Sequence, residues 1–310
     1  MKWNKAIMYF SLFTVISLSG CGNAKESENT LNDHSTGHSE ENHGTQSNEH
    51  STSHSEEEHG TQSNEHSHNG HETSDQQSNK PVSLSEVKGV VASTSLTAMI
   101  AKAAGAKNVT YIAPLELRHP PEYDYRPSDL SKITDSYIIY LGYEPFMKKL
   151  IESSNISSDL TAVIEVDNTP DGYLNEARKL ANIWGTQAEE AKWEEEFNKV
   201  VEELEQLAKK QDVSKVKVIS QVYMTPLVKW FGFDVVGEYG PEELTAAQLK
   251  DLIALKPDLI VDNAHMPQGK GLATASDKTK LVELRSYPDG TLNSVQDILI
   301  YNAKQLEIVK

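Results

Sequence analysis

The 310-residue sequence is poor in cysteine, and Cys21 is its single thiol. One thiol excludes an intramolecular disulfide, a CxxC redox pair and a zinc site built from thiolates. The sequence also has no P-loop, no dinucleotide-binding glycine fingerprint, no nucleophile elbow and no HExxH motif. These absences argue against an enzyme, so no catalytic residues are predicted. The stability of the chain must come from a packed core.

Positive charge is also scarce, since 29 Lys and Arg face 46 Asp and Glu, for a formal net charge of −17. Nucleic acids select basic surfaces, because binding them requires neutralising phosphates. The sequence therefore predicts no nucleic-acid partner. An acidic surface suits a protein that handles cations.

The N-terminus resembles a bacterial lipoprotein signal peptide. Lys2 and Lys5 precede an apolar run over about residues 6–15, and the segment closes with LSGC at residues 18–21. The run is shorter than the roughly 20 residues that a membrane-spanning helix needs, and its basic flank is typical of export. We predict a signal peptide over residues 1–21, a lipid anchor on Cys21 and a location on the extracytoplasmic face of the cell membrane, at a cell surface or in a periplasm.

Residues 22–80 contain almost no apolar side chains, and residues 38–51 recur with one change at 54–67. Such a segment cannot bury enough surface to offset the entropy of folding, so we predict a disordered, acidic, histidine-rich linker. Neutral imidazole binds Zn²⁺, Cu²⁺ and Ni²⁺, which predicts a metal-gathering tail that releases metal below about pH 6.5. The alternative is a solvated spacer. The tail histidines are His34, His38, His43, His50, His54, His59, His66, His68 and His71.

The remaining sequence alternates short β-type runs with helical periodicity, which is typical of mainly parallel sheets flanked by helices. We predict an α/β fold with an N-terminal lobe over residues 81–172, a linking helix region over 173–212 with a break near 184–186, and a C-terminal lobe over 213–310. Clefts between lobes are where small ligands bind. The predicted strands are 87–92, 109–112, 137–141, 160–166, 216–220, 234–236, 259–261 and 280–284. The predicted helices outside the linking region are 95–104, 146–152, 225–231, 246–255 and 293–307.

Several motifs together resemble the zinc- and manganese-type (cluster A-I) substrate-binding lipoproteins of ABC importers. They are the lipobox, the histidine-rich segment, EYDYRPSDL at residues 122–130, GYEPF at 142–146, the long helix and the closing helix with Tyr301 and Asn302. The resemblance covers about residues 87–310. It implies a two-lobed fold, a divalent metal held in the interlobe cleft by three histidines and a carboxylate, and an ABC permease as the membrane partner.

The sequence departs from that family at each expected ligand. The first family histidine falls on Pro121, and the second falls in residues 168–172, which contain none. The third falls on Gln221, and the carboxylate falls near Arg285 and Ser286. The usual metal-ligand histidines are therefore replaced.

Two interpretations of the cleft follow. In the first, a rebuilt site of nitrogen and oxygen ligands holds Zn²⁺ or another divalent transition metal as the transported ligand. His265 follows a predicted strand, at the position where α/β folds place ligands. The candidate ligands are His119, Glu122, Asp124, Asp262 and His265.

In the second interpretation, the cleft takes a chelated metal or another small polar ligand through hydrogen bonds and stacking. A third possibility is a surface zinc buffer or adhesin, active in cell adhesion, that feeds no permease. The sequence leaves all three open. The candidate groups for the second interpretation are Arg118, Tyr123, Tyr125, Gln221, Tyr223, Asn263 and Arg285.

Overall fold

A computed structural model describes residues 82–275 and 279–310. The predicted signal peptide, Cys21 and the histidine-rich linker lie outside the described residues. The first lobe contains β1 (Val90–Ala92), α1 (Ser95–Ala103), β2 (Val109–Tyr111), α2 (Pro127–Ile133), β3 (Tyr137–Leu141), α3 (Pro145–Ser154) and β4 (Thr161–Ile164). Two helices follow, α4 (Pro170–Trp184) and α5 (Gln187–Gln211). The second lobe contains β5 (Lys217–Gln221), α6 (Thr225–Trp230), β6 (Asp234–Tyr239), α7 (Ala246–Ala254), β7 (Leu259–Asn263), α8 (Lys270–Thr274), β8 (Lys280–Leu284) and α9 (Val295–Gln305).

Each lobe is built on a four-stranded parallel sheet. The strand orders are β2-β1-β3-β4 and β6-β5-β7-β8. In each sheet the first strand in the sequence, β1 or β5, lies between the next two. Parallel neighbours require crossover connections, and helices supply most of them here. The predicted α/β class with two like lobes is confirmed.

The hydrophobic core runs through both lobes. One continuous buried cluster includes Ile100 of α1, Phe197 and Leu204 of α5, and Leu299 of α9. Alternate strand residues point to the other face of each sheet, where two smaller clusters form, one around Ile138 and one around Ile260 and Leu272. The lobes therefore share packing on one side, while the carboxyl ends of their strands face a gap.

The linking region is two helices rather than one, as the predicted break near residues 184–186 indicated. Gly185 adopts φ +70°, a left-handed conformation that ends α4 and that glycine adopts without steric cost. α5 has 25 residues and is therefore about 37 Å long. Its Trp193 stacks on Phe197 at 4.7 Å and donates a hydrogen bond from Nε1 to Gln296 Oε1 at 3.4 Å, which ties the helix to the second lobe.

Differences from the predicted elements lie at element ends and in short helices. β1 begins at Val90 rather than at residue 87, and β6 continues to Tyr239. α9 begins after Ser294, whose hydroxyl accepts the Asp297 N–H at 3.1 Å. α2 and α8, with seven and five residues, were not predicted. The six-residue α6 was predicted, because Gly232 marks where that helix ends. In the described part of the chain, no helix has both the length and the hydropathy that crossing a bilayer requires.

Candidate ligand-binding cleft between the lobes

A cavity of about 600 Å³ lies between the two lobes. Five of its wall residues follow the carboxyl ends of strands: Tyr143 after β3, Asn168 after β4, Tyr223 after β5, His265 after β7 and Tyr287 after β8. Open α/β sheets bind ligands at this edge. A second cavity of about 500 Å³ adjoins it and shares some of its wall residues. The two cavities form the interlobe cleft.

Glu144 fixes the turn that presents Tyr143 to the cleft. Its side chain is fully buried, and Oε2 accepts the Leu141 N–H at 2.8 Å. The other carboxylate oxygen, Oε1, is buried without a hydrogen-bond partner. Burial therefore raises the pKa of Glu144 to about 7.

Two tyrosine hydroxyls join the lobes across the cleft. The hydroxyl oxygens of Tyr143 and Tyr287 lie 3.0 Å apart, so one donates a hydrogen bond to the other. Tyr287 is 5% exposed, whereas Tyr143 is 60% exposed and turns only its hydroxyl end into enclosed surroundings. Burial raises the pKa of Tyr143 to about 12 and also raises the pKa of Tyr287. Both phenols are protonated at neutral pH.

His265 makes a second connection between the lobes. Its Nδ1 lies 2.7 Å from the Arg118 carbonyl oxygen, which can only accept, so Nδ1 carries a proton. Its Nε2 lies 3.2 Å from both the backbone nitrogen and the carbonyl oxygen of Tyr287. With the proton of the neutral ring on Nδ1, Nε2 can only accept, so the hydrogen bond there is the one that the Tyr287 N–H donates. Burial lowers the pKa of His265, and the nearby Arg285 charge lowers it further. His265 is therefore neutral, and its only lone pair in the ring plane faces an N–H group.

His119 and Glu122 form a pair in the wall of the cleft. Pro120–Glu122 is a short 3-10 helix, and it brings Glu122 Oε1 to 3.1 Å from His119 Nδ1. His119 is half-buried and Glu122 is exposed. A carboxylate that accepts the Nδ1 proton of an imidazole holds the ring in one tautomer and leaves Nε2 as a ligand atom. Both side chains line both cavities.

Asp262 shapes the loop that carries His265. It is 1% exposed, and its Oδ1 accepts the N–H groups of Asn263 at 2.9 Å and Gln268 at 3.2 Å. Its Oδ2 accepts the Gly269 N–H at 2.6 Å. A Cβ on Gly269 would lie 3.0 Å from Oδ2 and 2.6 Å from the Tyr239 hydroxyl, so this close approach requires glycine.

The structure thus brings three of the five predicted ligands to one cleft, namely His119, Glu122 and His265. The Asp262 carboxylate accepts hydrogen bonds from backbone N–H groups and lines neither cavity. Asp124 is exposed and also lines neither cavity. In residues 82–275 and 279–310, no group of three or more His, Cys, Asp or Glu side chains is arranged to hold a metal ion.

The seven groups of the second interpretation are dispersed. Tyr223 and Asn263 line the larger cavity, and Arg118 lines the smaller one. Gln221 is buried beside them, where its Oε1 accepts the Tyr223 N–H at 2.8 Å and its Nε2 has no partner. The other three lie elsewhere: Tyr123 and Tyr125 pack on the first lobe's core, and Arg285 pairs with Asp289 at 3.0 Å and covers the Tyr301 ring.

Five polar wall residues of the larger cavity were not among the predicted site residues: Tyr143, Asp167, Asn168, Ser286 and Tyr287. Each follows the last residue of a strand by two to four positions. That placement was the available signal, because the carboxyl ends of parallel strands meet at one edge.

No family model matches the sequence, and no curated protein matches it. Solved structures do match in fold. A Mn-bound periplasmic metal-binding protein from Candidatus Liberibacter asiaticus is 16% identical, with a TM-score of 0.54 over 71% of this chain and 99% of that one. The protein FpvC from P. aeruginosa, solved with Ni²⁺, is 17% identical, with a TM-score of 0.55 over 70% and 94%. AdcAII from Streptococcus pneumoniae is 13% identical, with a TM-score of 0.53 over 72% and 99%.

The chain has the fold of these binding proteins. The predicted resemblance is therefore confirmed for the two-lobed architecture and for the linking helices. Pro121, Asn168 and Ser286, which lie at or near three of the positions where the sequence resemblance predicts a metal ligand, line the larger cavity.

Proposed function

We propose that the protein is an extracytoplasmic substrate-binding protein of an ABC importer, and that its cargo contains a divalent transition metal, with zinc as the first candidate. The observation that carries the proposal is the His119–Glu122 pair, 3.1 Å apart, in the wall of an interlobe cleft. The named metals of the solved structures with this fold, Mn²⁺ and Ni²⁺, support a divalent cargo.

His119 supplies the nitrogen ligand. Glu122 Oε1 lies 3.1 Å from Nδ1, which leaves Nε2 as the ring nitrogen for a metal of the type that imidazole binds, such as Zn²⁺ or Ni²⁺. His265 offers no second nitrogen while its Nε2 accepts the Tyr287 N–H. The protein thus provides few metal bonds, and the remaining coordination positions belong to water or to a molecule that arrives with the metal.

Capture and release follow from movement of the lobes. The Tyr143–Tyr287 and His265–Arg118 hydrogen bonds exist only when the two lobes are close together. A ligand that touches both lobes binds the closed state better than the open state, and it shifts the population accordingly. The permease receives the cargo when these contacts open.

The N-terminal segment completes the proposal. A lipid on Cys21 holds the protein at the membrane next to its permease, and the tail histidines gather metal ions near the cleft. Replacing Cys21 with serine should release the protein from the membrane fraction and abolish its labelling with palmitate. Retention of both would contradict the anchor without affecting the proposed cleft function.

Metal binding by the cleft is tested with the full chain in which all nine tail histidines are replaced by asparagine. We expect calorimetric titration with Zn²⁺, Mn²⁺ and Ni²⁺ to show one site per chain, and His119→Asn to remove it. Glu122→Gln should weaken it by about 10- to 100-fold, as loss of an orienting carboxylate does. Glu116→Gln is the matched control, because Glu116 is an exposed carboxylate of the same loop outside both cavities.

The transport step is tested in cells that lack the gene for this protein. We expect uptake of radioactive zinc at limiting concentration to fall and to return when the wild-type chain is restored, but not when His119→Asn is supplied. Zinc uptake that is the same with and without the protein would contradict a role in transport and would favour a surface zinc buffer or an adhesin.

A further inference from the structure

We propose that the cargo is a complex of the metal with a small, ring-bearing organic chelator, and that the cleft binds mainly the organic part. The inference rests on the proposed function and adds a substrate class to it. It follows from the size of the cleft, its few metal ligands, its exposed aromatic side chains and the charge of its walls.

The cleft is larger than a bare ion requires. A zinc ion bonded directly to protein nitrogens at about 2.0–2.1 Å sits among its ligands and leaves little free volume. The larger cavity measures about 600 Å³ with the lobes already joined by the Tyr143–Tyr287 bond. Cavities of 300–1,000 Å³ are the usual size for organic ligands.

The metal ligands are too few for a bare ion. Four-coordinate zinc needs three or four protein groups. The wall of the larger cavity offers His119, Glu122 and Asp167, but Asp167 Oδ1 accepts the N–H and the hydroxyl of Thr169. In the described residues these side chains form no cluster arranged to hold a metal ion. His265 has both ring nitrogens occupied by backbone groups, and Asp262 accepts three backbone N–H groups. A chelator that arrives with the metal supplies the missing donor atoms.

Exposed aromatic and aliphatic side chains concentrate at the cleft. Six large hydrophobic side chains stand out as exposed in the described ranges, and three of them line this one cavity: Tyr143 at 60%, Tyr223 at 47% and Val222 at 37%. Tyr143 comes from the first lobe and Tyr223 from the second. Contiguous exposed apolar surface marks a binding site, and aromatic rings bind flat ring systems by stacking.

The polar groups of the larger cavity are mostly uncharged. Asn168, Asn263 and Ser286 line it, and no Lys or Arg of the described residues does. Its ionisable wall residues are His119, Glu122, Asp167 and His265. An anionic chelate such as a metal citrate would meet carboxylates in the larger cavity, because Arg118 lines only the adjoining one. The walls of the larger cavity therefore favour a neutral or cationic complex.

The test uses the chain with all nine tail histidines replaced by asparagine and four probes: Zn²⁺ alone, 1,10-phenanthroline alone, their one-to-one complex, and zinc citrate. The complex is flat, cationic and apolar on both faces, and it leaves coordination positions open for His119. We expect calorimetry to show that it binds at least about tenfold more tightly than Zn²⁺ alone, as stacking on two rings predicts. Zinc citrate should bind no better than Zn²⁺.

Tyr223 separates the organic contact from the metal contact. Its hydrogen bonds use the backbone: the Tyr223 N–H donates to Gln221 Oε1, and the Tyr223 carbonyl accepts from Asn168 Nδ2 of the other lobe. Removing the ring therefore leaves both bonds in place. Tyr223→Ala should weaken binding of the zinc–phenanthroline complex roughly tenfold and leave the affinity for Zn²⁺ unchanged. Tyr223→Phe should retain the tight binding. Tyr111→Ala is the matched control, because Tyr111 is an exposed tyrosine outside the cavity.

Each contrary result has a distinct meaning. Equal affinity for Zn²⁺ alone and for the complex overturns the chelate inference and leaves the proposed metal-binding function standing. Equal affinity for phenanthroline alone and for the complex overturns it as well, because the metal then takes no part. Tighter binding of zinc citrate than of Zn²⁺ contradicts the chelate inference, because the cavity would then accept an anionic complex. An unchanged affinity in Tyr223→Ala also contradicts it, because the aromatic ring would then make no contact with the chelator. No binding of any zinc probe overturns the proposed function together with the inference.

Discussion

The hydroxyl oxygens of Tyr143 and Tyr287 lie 3.0 Å apart, one in each lobe, and they close the cleft over a cavity of about 600 Å³. Tyr143 follows β3 and Tyr287 follows β8, so the contact joins the two sheets at their carboxyl edges. The His265–Arg118 carbonyl bond and the bond from Asn168 Nδ2 to the Tyr223 carbonyl also join the lobes, and none of the three is an ion pair.

Tyr143→Phe tests the role of this contact in ligand retention. The variant leaves the Tyr287 hydroxyl, in a residue 5% exposed, without its partner. Loss of one such bond costs about 1 kcal/mol, so we expect a ligand to dissociate roughly fivefold faster. Stopped-flow measurement of zinc–phenanthroline release gives the rate. Tyr111→Phe should release at the wild-type rate, and an unchanged rate in Tyr143→Phe would show that closure depends on other contacts.

The pH dependence of stability tests the neutral state of His265. Burial lowers its pKa in the folded chain below the ordinary value of 6.5. As the pH falls through 6.5, the unfolded chain therefore binds this proton first, and the free energy of unfolding decreases until the folded pKa is passed. We expect wild type to lose more stability between pH 7 and pH 5 than His265→Asn does. Parallel profiles from urea unfolding would contradict the assignment.

Glu144 should show the opposite trend. Its pKa in the folded chain is raised to about 7 from an ordinary 4.5, so the folded state binds the proton more tightly. Stability from this group is full below pH 4.5 and is lost as the pH rises through 7. Glu144→Gln, which keeps an acceptor for the Leu141 N–H, should unfold like wild type at pH 4.5. At pH 8 it should be more stable by up to roughly 3 kcal/mol. A constant difference across the pH range would contradict a buried, protonated Glu144.

Asp262→Ala distinguishes a loop-forming carboxylate from a metal ligand. Three backbone N–H groups lose their acceptor, and we expect the free energy of unfolding to fall by about 3 kcal/mol. Binding of the zinc–phenanthroline complex by the folded variant should still occur. Asp251→Ala, at an exposed position of α7, should leave stability unchanged. If Asp262→Ala abolished metal binding and left stability unchanged, Asp262 would be a metal ligand rather than a loop-forming residue.

The sequence predicted most of the architecture because the relevant signals are local. Both ends of β3 and of β8 were predicted to the residue, β3 from the apolar run YIIYL and β8 from the shorter β-type run KLVEL. The break at Gly185 was predicted from residues that end helices. The short helices α2 and α8 were not predicted, because neither is closely followed by a glycine of the kind that follows α4 and α6.

The cleft was predicted in part. His119, Glu122 and His265 were named from their chemistry and their positions in the sequence, and all three line the cleft. Asp262 carried the same signal, since it lies in β7 just before His265, yet it points at backbone amides. Sequence position does not tell which way a side chain at the end of a strand turns, because one residue reverses its face.

The sequence by itself determined the two α/β lobes and the helices between them, because each depends on residue type and on spacing along a few turns or strands. Only the tertiary structure decided that Tyr143 meets Tyr287, that both nitrogens of His265 are occupied and that Tyr223 stays exposed in a cavity. These contacts join residues more than 20 positions apart, and they depend on how two separately formed sheets approach each other.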